Sequence, residues 1–362
     1  MNLKTKPLKN ETVFLKLACS VELDETTTTI AQMFDHPFDG QTISEITFPK
    51  NLPTRDGTWN LGAIVGSSGS GKSSLLKEKF GGTGPFVWER NRSIASQVSH
   101  EKLSAAGLNS VPSWCKPRHV LSTGEGFRAD LATCIKDNAS IDEFTSVVDR
   151  NVAQSCANGF QKYVRKNGLA GIVVASCHFD ILEWLQPDWT FNLDTGTLSV
   201  GRLPRRPQTL DVHQINGRTA WPLFRNHHYL SAEMNFASRC YGAFWKNQLV
   251  GMSASLAYPS GTVKNAWREH RLVVLSDFQG FGIGVRLSDF VAELFVNAGC
   301  RYFSKTAHPV LGKYREKNPC WRGTSKNKKP RKDYKGDTHK EAKNYEDHRN
   351  RVCYCHEFVG VA

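Results

Sequence analysis

Residues 62–76 read GAIVGSSGSGKSSLL: an apolar, strand-like run, then a turn of glycine and serine, then the opening of a helix. Inside it Gly66, Ser67, Ser68, Gly69, Ser70, Gly71, Lys72 and Ser73 complete a GxxxxGK[ST] pattern, which Ser74 continues. Glycines let backbone N–H groups close around phosphate oxygens, the lysine reaches terminal phosphates, and the serine hydroxyl can hold Mg²⁺. The stretch predicts a strand–loop–helix nucleotide site in an α/β domain. A second glycine-rich run, QGFGIG at 279–284 (Gln279, Gly280, Phe281, Gly282, Ile283, Gly284), raises the question of a second phosphate cradle on the same chain.

The chain has 362 residues, 40% of them hydrophobic, which is enough for two domains with separate cores. No apolar run reaches membrane-spanning length, and Lys16 interrupts the apolar part of the N-terminal stretch, so neither a membrane span nor a secretory leader is expected. Ten cysteines lie scattered from Cys19 to Cys355, the usage of a reduced, cytoplasmic protein. Net charge is +13, and the stretch from Leu311 to Arg351 carries 14 Lys and Arg against 6 Asp and Glu, as a polyanion-binding surface would. Prolines and arginines in GRLPRRPQTL mark a linker at 201–210 between a domain at 1–200 and one at 211–362. In the second domain, CYGAFWKNQLVGMSASLAY (240–258) predicts two strands joined at Lys246-Asn247. The strand REHRLVVL (268–275) and the helix VRLSDFVAELFVNAG (285–299) follow.

Downstream of the first glycine loop, LSTGEGFRADLA (121–132) resembles the signature of the ABC-type ATPases, and further pieces arrive in that family's order. The resemblance covers roughly residues 10–200 and implies a P-loop ATPase domain that binds ATP and Mg²⁺. It makes Gln97 the glutamine of the Q-loop and a metal ligand beside Ser73. Asp142 in IDEF becomes a carboxylate acting on Mg²⁺, and Glu143 the group that polarises the attacking water. Asp149 falls in the D-loop and His178, ending GIVVASCH, senses the terminal phosphate. Ser122 and Gly124 would complete the site on the opposite subunit, implying an ATP-dependent head-to-tail homodimer. Phe34 and Phe38 are candidates to stack on adenine. The segment before Asp142, CIKDNASI (134–141), is expected to be a strand, though a polar one.

QGFGIG resembles the pyrophosphate loop of the GNAT acyltransferases, with strand before and helix after. The resemblance implies a C-terminal GNAT-type domain using acetyl-CoA or a related acyl-CoA. The pyrophosphate would rest on the amides of residues 279–284, and the thioester beside Val273, Val274 and Leu275. Tyr314 in HPVLGKYREKNPCW would protonate the departing thiolate, and Glu269 and His270 are possible bases, of which strand alternation lets one face the cleft. RNHHYLS (225–231) resembles a segment of the phage Mom-type DNA-modification proteins, which makes His228 and Tyr229 candidates for handling substrate. CYCH (353–356) alternates faces on a strand and lacks a second pair, so no zinc site is expected.

The two halves together resemble an ABC-type ATPase fused to such an acyltransferase. The reading is an ATP-binding, acyl-CoA-dependent transferase that modifies a nucleic-acid base, with DNA ahead of RNA as partner. The alternatives are a tRNA or RNA acetyltransferase, a protein or small-molecule N-acetyltransferase, and an ATP-switched binding protein with a non-catalytic GNAT fold.

Overall fold

The structure, a computed structural model, describes residues 12–204, 208–228, 233–259, 261–330 and 352–360. It separates into two compact units, residues 1–206 and 207–362.

The first unit runs β1 (Thr12–Ser20), α1 (Glu25–Met33), β2 (Gln41–Pro49), β3 (Leu61–Val65), α2 (Lys72–Phe80), α3 (His100–Ala105), α4 (Val111–Trp114), α5 (Thr123–Thr133), β4 (Ser140–Ile141), α6 (Arg150–Lys166), β5 (Ile172–Ser176), α7 (Leu182–Leu185), β6 (Trp189–Asn192) and β7 (Thr197–Val200). Its main sheet has the order β4-β5-β3-β6-β7, parallel except for the last pair. All five residues of β3, LGAIV, and of β5, IVVAS, are buried, as a central parallel strand covered on both faces requires. Helix α6 offers Val152, Cys156, Phe160 and Val164 at helical spacing to the interior. β1 and β2 form a separate antiparallel pair.

The expected strand at 134–141 is corrected to two residues. Helix α5 runs through Thr133 and Cys134 caps it, and Asn138 takes φ +56° in the turn that follows. Only Ser140 and Ile141 pair with β5. Lys136, Asp137 and Asn138 read as polar because they form that turn, where asparagine tolerates the left-handed region.

The second unit runs β8 (Asp211–Ile215), α8 (Gly217–Phe224), β9 (Arg239–Trp245), β10 (Gln248–Ala257), β11 (Ala266–Val274), α9 (Ile283–Asn297), β12 (Arg301–Thr306), α10 (Pro309–Lys317), β13 (Trp321–Gly323), β14 (Lys329–Pro330) and β15 (Val352–Phe358). The sheet order is β13-β15-β12-β11-β10-β9-β8, with β14 beside β15. Lys246 and Asn247 take φ +50° and +64°, a two-residue turn that matches the twist of β9 and β10. Only β11 and β12 are parallel, joined by α9 as the crossover.

That pair separates early. Ala266, Trp267 and Arg268 face Arg301, Tyr302 and Phe303, and pairing stops there. Beyond this level β11 stays with β10 as far as Val274, and β12 stays with β15 as far as Thr306. At the same level β11 carries an extra residue: Arg271 faces Ala254 and Glu269 faces Ser255, leaving His270 in a bulge. Bulges bend a strand and re-aim its side chains.

Candidate functional sites

In the first unit the carboxyl ends of β3, β5 and β4 lie side by side, with Val65 opposite Ser176 and Ile141 opposite Val174. Ligands of open α/β sheets bind outside these ends. Three loops leave from here: Gly66–Gly71, then Asp142–Asp149, then the turn carrying His178. Two strand spacings put the first and second about 10 Å apart. Gly69 and Gly71 have φ +79° and +93°, and a Cβ on Gly71 would stand 2.5 Å from Ile46. Lys72 is buried at the start of α2 and its Nζ donates to Ser67 O at 2.6 Å, while Ser73 is exposed on the first turn.

A residue the sequence did not suggest stands in this loop. Asp194, in the turn between β6 and β7, accepts from the Ser67 amide at 2.9 Å and from the Ser67 hydroxyl at 2.9 Å. These bonds, with help from Lys72, hold its carboxyl below the ordinary range. The loop thus binds an oxygen anion of the protein itself.

Asp142 is half-buried and accepts from the Glu143 amide at 2.9 Å; Glu143 is exposed. Glu143 and Thr145 both have positive φ, +51° and +69°. For a β-branched threonine that conformation is costly, and such strain is characteristic of functional loops. The segment is pinned between them, with Phe144 N–H donating to Ala175 O at 2.9 Å and Ser176 Oγ donating to Phe144 O at 2.8 Å. His178 Nδ1 lies 3.4 Å from Thr145 Oγ1. Burial and Arg150 lower the His178 pKa, against an opposing pull from Glu143. Thr83, Phe86, Phe127, Asp142 and Glu143 line a hollow of about 390 Å³.

Three further residues serve local structure. Gln97 spends its amide on the 89–93 loop, accepting from Glu89 N at 2.8 Å and donating to Arg92 O at 3.1 Å. Asp149 caps α6, accepting from Asn151 N at 2.9 Å and Val152 N at 3.1 Å. Ser122 and Glu125 form a capping box at the start of α5, with Gly124 in its first turn. Of the adenine candidates Phe34 is 74% exposed, and His36 stacks near Phe38.

In the second unit the 279–284 loop links the end of β11 to α9. Gly280 and Gly282 both have φ +88°; Gly282 is the N-cap of α9 and no side chain caps the helix. Gly282 has no side chain to accept from the first N–H groups of this 15-residue helix, where the helix dipole favours an anion. Gln279 Nε2 fastens the loop by donating to Val274 O at 2.8 Å. Val273 and Val274 are buried, and Leu275 N–H donates to Val250 O at 3.0 Å.

The bulge separates the two possible bases. Glu269 is buried against Arg315, whereas His270 accepts from the Asn235 amide at 3.1 Å through Nε2. Burial, Arg271 and Arg268 bring the His270 pKa down to about 4. His228 is held at about 4 by burial, Arg271 and His270. Arg271 itself donates to Glu233 O at 2.6 Å. Two neutral imidazoles and a guanidinium thus cluster beside the bulge; Tyr229 lies outside the described residues. Tyr314 donates its phenol to Asp289 on α9, which also accepts from Asn318 at 3.2 Å and Trp321 at 2.7 Å. Burial and Asp289 push the Tyr314 pKa up to about 12, so its proton serves a helix contact here. No group of three or more metal-ligating side chains occurs among the described residues, Cys353, Cys355 and His356 included.

Residues 180–312 match the family model of the GNAT acetyltransferases, described as "Acetyltransferase (GNAT) family". The match spans β8 to β12 and the start of α10, and its first residues, 180–206, belong to the first unit. A GNAT acetyltransferase domain, mixed α/β, is therefore part of this chain. Among solved structures the chain is similar to an IAA acetyltransferase from Bacillus cereus ATCC 14579, at 15% identity over 41% of this chain and 99% of that one, TM-score 0.30. It is also similar to a Bacillus subtilis acetyltransferase in complex with CoA, at 12% identity over 43% and 100%, TM-score 0.29. A third is a GNAT family acetyltransferase from Elizabethkingia anophelis with acetyl-CoA bound, at 17% identity over 41% and 94%, TM-score 0.28. No curated protein matches the chain. No helix among the described residues is long and apolar enough to cross a membrane.

Proposed function

We propose that the second unit transfers an acetyl group from acetyl-CoA to an amine of a nucleic-acid base, with DNA ahead of RNA, and that the first unit is an ABC-type ATPase serving that reaction. The observation carrying the transferase reading is the uncapped, glycine-opened helix α9 at the point where β11 and β12 part. The loop amides would take the pyrophosphate, and the gap beside Val273–Leu275 the thioester arm. His270, neutral above about pH 4, would release the Asn235 amide at Nε2 and take the amine proton as the nitrogen bonds to the thioester carbon and the C–S bond breaks, and that proton would then neutralise the departing CoA thiolate. His228 and Arg271 border the acceptor side.

For the first unit, support comes from the convergence of Lys72, Ser73, Asp142, Glu143 and His178 at one sheet edge. Ser73 Oγ and the Asp142 carboxylate are hard oxygen donors that suit Mg²⁺, which would neutralise phosphate charge. Gln97 would first have to release the 89–93 backbone. Net charge of +13 supports a polyanionic acceptor.

The test is transfer of label from [¹⁴C]acetyl-CoA to DNA, to RNA and to basic peptides, with and without ATP. Label in nucleosides that increases with ATP is expected. Label in peptide alone would move the acceptor to protein, and label in none would remove the catalytic reading in favour of a binding role.

A further inference from the structure

One polar group in the second unit is buried more deeply than any function assigned above requires. The Arg315 side chain is 0% exposed and the Glu269 side chain 6%, with Nη2 and Oε2 2.8 Å apart. Ser288 on α9 donates to Glu269 Oε1 at 2.8 Å, and Ser304 on β12 donates to Oε2 at 2.9 Å. Arg315 Nη2 also donates to Ser288 Oγ at 2.8 Å, and Nη1 to Ser304 Oγ. Four elements meet here: β11, β12, α9 and α10. The guanidinium is further fixed by Trp321, whose ring centroid lies 4.4 Å from its carbon.

The position matters as much as the bonding. Arg268 and Phe303 are the last paired residues of β11 and β12, and Glu269 and Ser304 are the next on each strand. At the first level where backbone bonding fails, a side-chain bridge replaces it. Desolvating two charges is expensive, and apolar residues of similar volume often serve stability as well or better. A stability role alone therefore explains the pair poorly, whereas a geometric role explains both its chemistry and its place.

We propose that Glu269 and Arg315 are positioning residues that hold β11 and β12 at the separation needed to admit the acyl-bearing arm of the CoA donor. The inference rests on the acyl-CoA reading above. The hydrogen bonds of the pair among the described residues go to each other, Ser288 and Ser304 and not to the 279–284 loop, so the pair would govern the arm and not the anchor.

Two ligands separate these effects: acetyl-CoA, and adenosine 3′-phosphate 5′-diphosphate, which keeps the pyrophosphate but lacks the arm. In the full-length Glu269→Leu/Arg315→Met protein, shown folded by its melting transition, acetyl-CoA should bind about tenfold more weakly or worse, the loss of one or two contacts along the arm. The truncated ligand should bind as it does to the unchanged protein. Equal loss of both ligands, or loss of neither, overturns the inference. If the double variant does not fold, Ser304→Ala takes its place: it removes the hydroxyl that joins β12 to the pair. It should weaken acetyl-CoA alone by about three- to tenfold, the worth of one hydrogen bond, and parallel behaviour of the two ligands overturns the inference there too. If the unchanged protein binds neither ligand, the acyl-CoA reading itself fails and this inference falls with it.

Discussion

Two glycines of the second loop should respond differently to the same substitution. Gly282 has φ +88°, and a Cβ there would meet only Val285 Cγ2, at 4.0 Å. Packing therefore leaves room for Gly282→Ala, and its cost is conformational, about 1–2 kcal/mol for an L-residue in the left-handed region. For a unit of this size that is a fall in Tm of roughly 2–8 °C. Gly284 lies within α9, and its Cβ would make an ordinary 3.4 Å contact with Val274 Cγ2. Gly284→Ala should leave stability unchanged or raise it by up to about 1 kcal/mol, as alanine restricts the unfolded chain. Both methyl groups nevertheless stand on backbone that a pyrophosphate would approach. Losing one charge-assisted hydrogen bond, about 1.5–3 kcal/mol, would weaken acetyl-CoA by roughly 10- to 100-fold in each variant. Calorimetry and melting curves on the pair would thus show affinity falling in both while Tm falls only for Gly282→Ala. Normal acetyl-CoA binding by Gly284→Ala would refute a close approach at that residue. Normal binding by both would remove the loop as the anchor.

The histidine cluster sets a pH window. Because His228 and His270 have folded pKa values of about 4 against an ordinary 6.5, the fold keeps them neutral; the stability this contributes is fully present above pH 6.5 and is lost as pH falls towards 4. Urea midpoints of the second unit should drop across that window, and the His228→Gln/His270→Gln protein should show a shallower drop; an identical slope would refute the assignment. In the first unit, Glu143→Gln should trap a nucleotide-bound dimer, since its carboxylate is the candidate to polarise water. Light scattering that still finds a monomer in saturating ATP and Mg²⁺ would dismiss the head-to-tail arrangement.

What the sequence disclosed follows local rules. The 62–76 strand, loop and helix, the Lys246-Asn247 turn and α9 depend on glycine conformations and on apolar periodicity within a few residues. The remainder depends on partners distant in the chain. Asp194 reaches Ser67 only because β6 pairs with β3, and nothing in the LDTG turn announces it. Strand alternation leaves Glu269 and His270 as rivals, and the bulge that separates them is set by register with β10. Arg315 lies in a basic segment of the sequence, yet it is the most deeply buried cation among the described residues, because Glu269 pairs with it. Gln97 and Asp149 have the right order for a nucleotide site, but order alone does not reveal that their side chains also close local turns.

The order of the second sheet has a consequence for synthesis. β15 lies between β12 and β13, although it follows both in the chain. Until residues 352–358 are made, the strand that covers this edge of β12 in the finished fold is missing, and an uncovered edge is the kind that recruits strands from other chains. β15 covers that edge with Tyr302 against Phe358 through Thr306 against Tyr354. The GNAT sheet therefore closes only after residues 352–358 have left the exit tunnel, and a nascent chain stalled short of them would be a client for chaperones.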